Sequence, residues 1–204
     1  MDEREGTWAR RLRLLWAAVV FPAWIAGPFL VAGTVAFWPG LSHHAVLGLG
    51  LLAHQAYVRA KNPELRRRRE HIGAGTPRWD VAWVLVFWPL MACIALSGAL
   101  GFRLGWPAMP CGLWLVGLLL VGGGEAVSAW AMAVNPFFEG TARLQTERDQ
   151  HVVDAGPYRR LRHPGYLGLL GMALGGPFLL QSWVALGPAL LVVAAIVLRT
   201  ALED

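Results

Sequence analysis

The sequence predicts an all-α protein: a polytopic membrane helical bundle of about six spans, the last two forming a helical hairpin. Three observations lead there. The 204 residues are 56% hydrophobic and only 15% charged, with a mean hydropathy of +0.46, more apolar than an ordinary soluble domain. Six segments approach the roughly 20 apolar residues that a helix needs to cross a hydrocarbon core about 30 Å thick. The basic residues alternate between rich and poor connections along the chain.

The first segment is 14–37, with Pro22 and Pro28 inside it. It is too long for the apolar stretch of a signal peptide and no small-residue cleavage site follows, so it is expected to remain as a span. The second, 41–58, is the weakest, because it carries His43, His44, His54 and Gln55. The third and fourth, 81–100 and 113–134, are unambiguous, and the Gly122-Gly123-Gly124 run in the fourth would admit a close helix neighbour. Pro136 is expected to stop that helix near Val134. The last pair, 164–180 and 183–198, has the connection "LQSW". The chain accordingly divides into four N-terminal spans, 1–134, and a C-terminal core, 135–204.

The charge count supports the weak second span. Four arginines precede the first span, none separates the first two, and seven Lys or Arg lie in 59–80, including 66–69. The next connection holds Arg103 alone, 135–163 holds five, and the last holds none. Removing the second span would break this alternation. The positive-inside rule then places both termini and the 59–80 and 135–163 connections in the cytoplasm. Charges confined to such connections point to membrane lipids as partners and away from nucleic acid. Cys93 and Cys111 form no C-x-x-C pattern, so neither a disulfide framework nor a zinc site is suggested, and the spacing of His43, His44 and His54 suggests no other metal.

Three constellations carry chemistry. "GPYRRLRHPGYLG", 156–168, opens the fifth span, with Pro164 at its first turn and His163 beside the N-cap. Free backbone N–H groups and the positive helix end favour an anion there. The stretch reads either as an interfacial anchor of Tyr and Arg or as a mouth where Tyr158, His163 and Tyr166 hold a small zwitterion. The C-terminal "VLRTALED" places Arg199 and Glu203 four apart on one helix face. They either pair locally at the end of a span or hold opposite charges of two ligands. Glu125 lies deep in the fourth span, either as a functional carboxylate or as a group hydrogen-bonded to a neighbouring helix.

Gly156 and Tyr158, then Arg162, His163, Pro164, Tyr166 and Gly168, then Arg199, Glu203 and Asp204 across a hydrophobic pair of spans, resemble the signature of the isoprenylcysteine carboxyl methyltransferase family, bacterial branch. That family is itself similar to the membrane phospholipid N-methyltransferases. "NPEL" at 62–65, "NPFF" at 135–138 and "QTERDQHVV" at 145–153 resemble it too. The resemblance implies methylation with S-adenosylmethionine on the cytoplasmic side. It implies that Gln145, His151, Val152, Val153, Tyr158, His163, Pro164, Gly165 and Tyr166 line the cofactor. It implies that Glu203 takes the cofactor's ammonium group and Arg199 the carboxylate of a lipophilic, isoprenylcysteine-like or lipidated substrate. Asn135 and Glu125 are expected on the substrate side. Family members continue past the acidic pair as a short tail, which is expected either beyond Asp204 or not at all.

A carboxylate is ionised at pH 7 and needs only to be desolvated and aimed, which suits Arg199 as a clamp. A lipid amine must first lose a proton, for which Glu125 or His151 would act as base; a small thiol is a further acceptor. Some sterol reductases carry a related R-H-P-N-Y motif and bind NADPH, but Gly165 stands where that motif has Asn. A membrane scaffold without cofactor is the non-enzymatic alternative. The Arg-rich, Lys-poor composition points to a bacterial chain of the inner membrane.

Overall fold

The structure, a computed structural model, describes residues 18, 21–65, 77–138, 140 and 150–203. Among them are six α-helices and no strand: α1 (Phe21–Ala32), α2 (Trp38–Lys61), α3 (Arg78–Arg103), α4 (Leu113–Val134), α5 (Pro164–Leu179) and α6 (Leu186–Glu203). A single 3-10 turn, Gly156–Arg159, precedes α5. Three helices, α3, α4 and α6, are long and apolar enough to cross a membrane. At 24 residues α2 has the length but is diluted by its histidines; α5, at 16 residues, is short.

The ends of the helices follow local chemistry. α1 stops before the expected Phe37 because Gly33 takes a left-handed φ of +74° and its N–H returns to the Phe29 carbonyl. α2 and α3 run about one turn further than hydropathy alone suggests, since polar residues at a membrane edge still complete helical hydrogen bonds. α4 ends at Val134, immediately before the Asn135-Pro136 pair. α5 starts on Pro164, which needs no N–H partner in a first turn. α6 begins three residues late and continues through Arg199 to Glu203.

The closest packing is between α4 and α5, where backbones nearly touch. A methyl group added to Gly168 would lie 2.6 Å from the Gly124 carbonyl, and one on Gly175 would lie 2.9 Å from the Gly117 carbonyl. Within the expected glycine run only Gly124 serves this seam; Gly122 and Gly123 meet nothing within 4 Å. α3 packs between α1 and α6, α2 packs on α4, and α5 on α6. The core inside this ring includes Phe37, Phe87, Ile94, Ala173, Val192 and Ile196.

Both ends of the bundle are tied. At one end the α3–α4 and α5–α6 connections meet through the Ala108–Ser182 bridge and a 2.8 Å bond from Met109 N–H to the Gln181 carbonyl. At the other, "NPEL" docks on "NPFF": the Asn62 amide donates to the Met132 and Asn135 carbonyls at 3.1 and 3.3 Å. Leu65 is buried there with Val58, Ala129 and Met132. The starts of α3 and α5 and the ends of α2, α4 and α6 therefore share one end of the molecule.

Candidate active site

Three helix termini build an ionic cluster at that shared end. α6 supplies Arg199 and Glu203, one turn apart, with Arg199 Nε donating to Glu203 Oε1 at 3.0 Å. α5 supplies Tyr166, whose hydroxyl donates a very short hydrogen bond to the same Oε1. It is preceded by the N-cap residue His163, whose ring stacks on Tyr166 at 5.3 Å and whose Nδ1 lies 3.7 Å from Glu203 Oε2. α3 supplies Asp80 and Trp83 from its first turns. Asp80, fully buried, pairs with Arg199 Nη2 at 2.9 Å. Trp83 lies flat beneath the guanidinium, 4.1 Å from ring centre to Cζ. The indole is fixed by a 2.8 Å bond to the Ala195 carbonyl and by stacking on Phe87. Arg199 Nη2 also reaches the Gly140 carbonyl at 3.2 Å. A fully buried carboxylate, Asp80, and a partly buried one, Glu203, flank one guanidinium, so the buried charges are paired.

Beside the cluster, where the chain leaves α4, a cavity of about 380 Å³ is lined by Asn135, Phe137, Gln150, His151, Val152, Val153, Tyr158, Leu161 and Arg162. Asn135 shapes it by accepting the Phe137 N–H at 2.8 Å and donating to the Tyr158 hydroxyl at 3.1 Å. Phe137 meets the His151 ring edge to face at 5.0 Å. Burial raises the Tyr158 phenol above its ordinary 10, partly countered by the Asn135 hydrogen bond, so the hydroxyl stays protonated at neutral pH. Gly156, at φ +56°, turns the chain where a Cβ would crowd the Trp130 indole nitrogen at 3.0 Å. On the other side of the Arg162–His163 peptide an apolar groove of about 430 Å³ runs between α5 and α6. Its lining includes His163, Tyr166, Leu170, Ile196, Val197 and Thr200.

The expected site residues thus gather in two adjoining places. His151, Val152, Val153, Tyr158 and Asn135 line the cavity; His163, Tyr166, Arg199 and Glu203 form the cluster. Pro164 and Gly165 are buried between them in the first turn of α5, Gly165 so close under Phe138 that a Cβ would meet its ring at 2.9 Å. Gln145 lies outside the described residues. Glu125 stands elsewhere, with its Oε2 at 2.7 Å from His54 Nδ1 across the α2–α4 interface. That is the neighbouring-helix reading of this carboxylate. His43 and His44 meet edge to face, His44 also lying against Phe29, well away from this pair. Among the described residues no three His, Cys, Asp or Glu side chains gather as a metal site.

Asp80 and Trp83 escaped the sequence reading, and Asn62 entered it only as part of "NPEL", with no role. Asp80 had a signal: an acid directly before a span, at the same end of the spans as Arg199. Trp83 had none, since it reads as a span residue.

Residues 113–204 match the family model described as Phospholipid methyltransferase. The matched stretch holds α4, the whole cavity, α5 and α6, and within the ionic cluster it leaves out only Asp80 and Trp83. Neither a curated protein nor a solved structure matches the chain. The C-terminal part of the chain is therefore similar to membrane methyltransferases.

Proposed function

We propose that the chain is an integral membrane methyltransferase that uses S-adenosylmethionine on a lipophilic acceptor. The observation that carries the reading is one juxtaposition within the matched stretch. A cavity with polar and aromatic walls reaches Arg162, the chain neighbour of His163, and an apolar groove between two helices is lined by His163 and Tyr166 of the carboxylate cluster. The donor set fits the cofactor. Glu203 offers a carboxylate to an ammonium group, and Phe137, Tyr158, Val152 and Val153 offer aromatic and apolar faces in a cavity of ordinary ligand size. When bound, S-adenosylmethionine supplies an electrophilic methyl group on a sulfonium. The protein's own work is positioning and exclusion of water. Asn135 holds Tyr158, Pro164 fixes the helix start that presents His163 and Tyr166, and Tyr166 orients Glu203. Gln145 belongs to the same expected set.

Two acceptor classes fit this site. A carboxylate acceptor follows from the resemblance, with Arg199 as the clamp and no base required. A phospholipid amine follows from the family model, and Arg199's occupation by Asp80 and Glu203 favours it. An amine must release a proton; His151, in the cavity wall, is better placed to take it than Glu125, which is held by His54. The groove between α5 and α6 would take the acceptor's hydrocarbon chain from the bilayer. The wider reading has six spans, with both termini and the site on the cytoplasmic face of a bacterial inner membrane.

The test is calorimetric titration of the protein in lipid nanodiscs with S-adenosylmethionine and, separately, NADPH. Saturable binding of S-adenosylmethionine alone is expected. Binding of NADPH alone would move the chain to the reductase class, and binding of neither would leave the scaffold.

A further inference from the structure

Arg199 is the obvious anion-binding group of the site, yet its Nε and Nη2 are already engaged by the protein. A guanidinium grips a carboxylate best through two parallel bonds, one geometry of which uses Nε and Nη2 together. Here that edge is divided: Nε goes to Glu203 at 3.0 Å and Nη2 to Asp80 at 2.9 Å. Nη2 is further engaged by the Gly140 carbonyl, so the terminal pair of nitrogens is not available whole either. The side chain is 6% exposed and lies on Trp83, which bars approach from one face.

We infer that Asp80 is a specificity-determining positioning residue, which withholds Arg199 from a ligand carboxylate and turns the site toward a cationic or neutral headgroup. This rests on the methyltransferase reading of the same site. Asp80 acts through Arg199. It stands at 0% exposure in the first turn of α3, on the same helix face as Trp83 three residues on. Together they form a seat for the guanidinium, Asp80 on the edge it shares with Glu203 and Trp83 against its face. Replacing the carboxylate by an amide of the same shape would remove one negative charge within about 3 Å of Arg199 and release a donor toward the ligand side. In a partly buried setting that change is large enough to reverse a preference between headgroups of opposite charge.

The experiment uses radiolabelled oleate and oleylamine, which share one hydrocarbon chain and differ in headgroup charge. Their binding to nanodisc-embedded wild type, Asp80→Asn and Asp80→Glu is measured with and without S-adenosylmethionine. The wild type should bind the amine more tightly than the acid. Asp80→Asn should shift the acid-to-amine ratio by at least about tenfold toward the acid, and Asp80→Glu, which keeps the charge, should stay near the wild type. A structural role alone would weaken both probes together and leave the ratio unmoved. An unmoved ratio, or a wild type that prefers the acid or binds neither probe, overturns the proposal. The wild-type result decides even if Asp80→Asn does not fold. Binding of S-adenosylmethionine to the same samples reports separately on the methyltransferase reading.

Discussion

Glu203 receives a phenol, a guanidinium and, more distantly, an imidazole. Two hydrogen-bond donors and a nearby imidazole on one side chain make it the group whose charge the rest of the cluster is arranged to hold. Glu203→Gln keeps the shape and removes that charge. Cofactor affinity should fall by about tenfold or more, the range of one charge-assisted hydrogen bond, while thermal unfolding of the protein stays near the parent. Arg199→Ala should behave differently. It takes the guanidinium away from the fully buried Asp80 carboxylate, and breaking a buried ion pair costs on the order of 3–5 kcal/mol; it also loosens Glu203. The unfolding midpoint should therefore drop, and cofactor binding should weaken with it. A midpoint unchanged by Arg199→Ala would contradict the Asp80 pairing. From the sequence, the i, i+4 spacing put Arg199 and Glu203 on one face, and the proline fixed where His163 and Tyr166 begin. The sequence could not show that both roles share one oxygen, Glu203 Oε1, because that contact spans 37 residues and two helices. Nor could it show that Asp80 pairs with Arg199, 119 positions further along the chain.

At the scale of helices, the seam between α4 and α5 decides how the cavity end and the groove are spaced. Gly124, Gly168 and Gly175 put the two backbones in contact, and no side chain fits between them. Close approach of this kind substitutes for hydrophobic driving force inside a bilayer. Gly168→Ala would place a methyl 2.6 Å from the Gly124 carbonyl and 2.8 Å from Ser128 Cβ. The helices must part, at a cost of about 1–3 kcal/mol, and the shift would reach His163 and Tyr166 one turn earlier. Gly122→Ala, with nothing within 4 Å, should be neutral or slightly stabilising. Comparing the unfolding midpoints of the two variants checks this, and equal effects would rule out the seam. Hydropathy placed four of these helices well, since α3 to α6 are carried by apolar runs. It rated α2 weakest, because it weighs His54 as a polar cost, and α2 is not among the three helices long and apolar enough to cross a membrane. His54 instead meets Glu125 at 2.7 Å and Met132 Sδ at 3.1 Å, so two groups that are each expensive in a membrane satisfy one another. The glycine run misled for a related reason: composition marked three positions, but helical geometry turns only Gly124 toward α5.

The whole molecule has two chemically distinct ends, and the difference predicts how it should lie in a bilayer. The site end gathers Asp80, Arg199, Glu203, His163 and the arginines at 159, 160 and 162. The far end gathers Trp38, Trp106 and Trp183, all substantially exposed, around the bridged connections. Its one basic residue among the described positions, Arg103, is exposed and donates to the Val31 carbonyl at 3.3 Å. Exposed tryptophans suit the interface, and a near absence of free cations suits the side that basic residues avoid. The two cysteines make this measurable without substitution. Cys111 is exposed in the α3–α4 connection at the far end, and Cys93 is exposed midway along α3, where it would face lipid. A membrane-impermeant maleimide added to intact bacterial spheroplasts should therefore label Cys111 from outside. Cys93 should resist that reagent and react only with an apolar one. Labelling of Cys111 only after the membrane is opened would invert the molecule. The ionic cluster would then face away from the cytoplasm, where S-adenosylmethionine is made, and the cytoplasmic placement of the active site would fall with it.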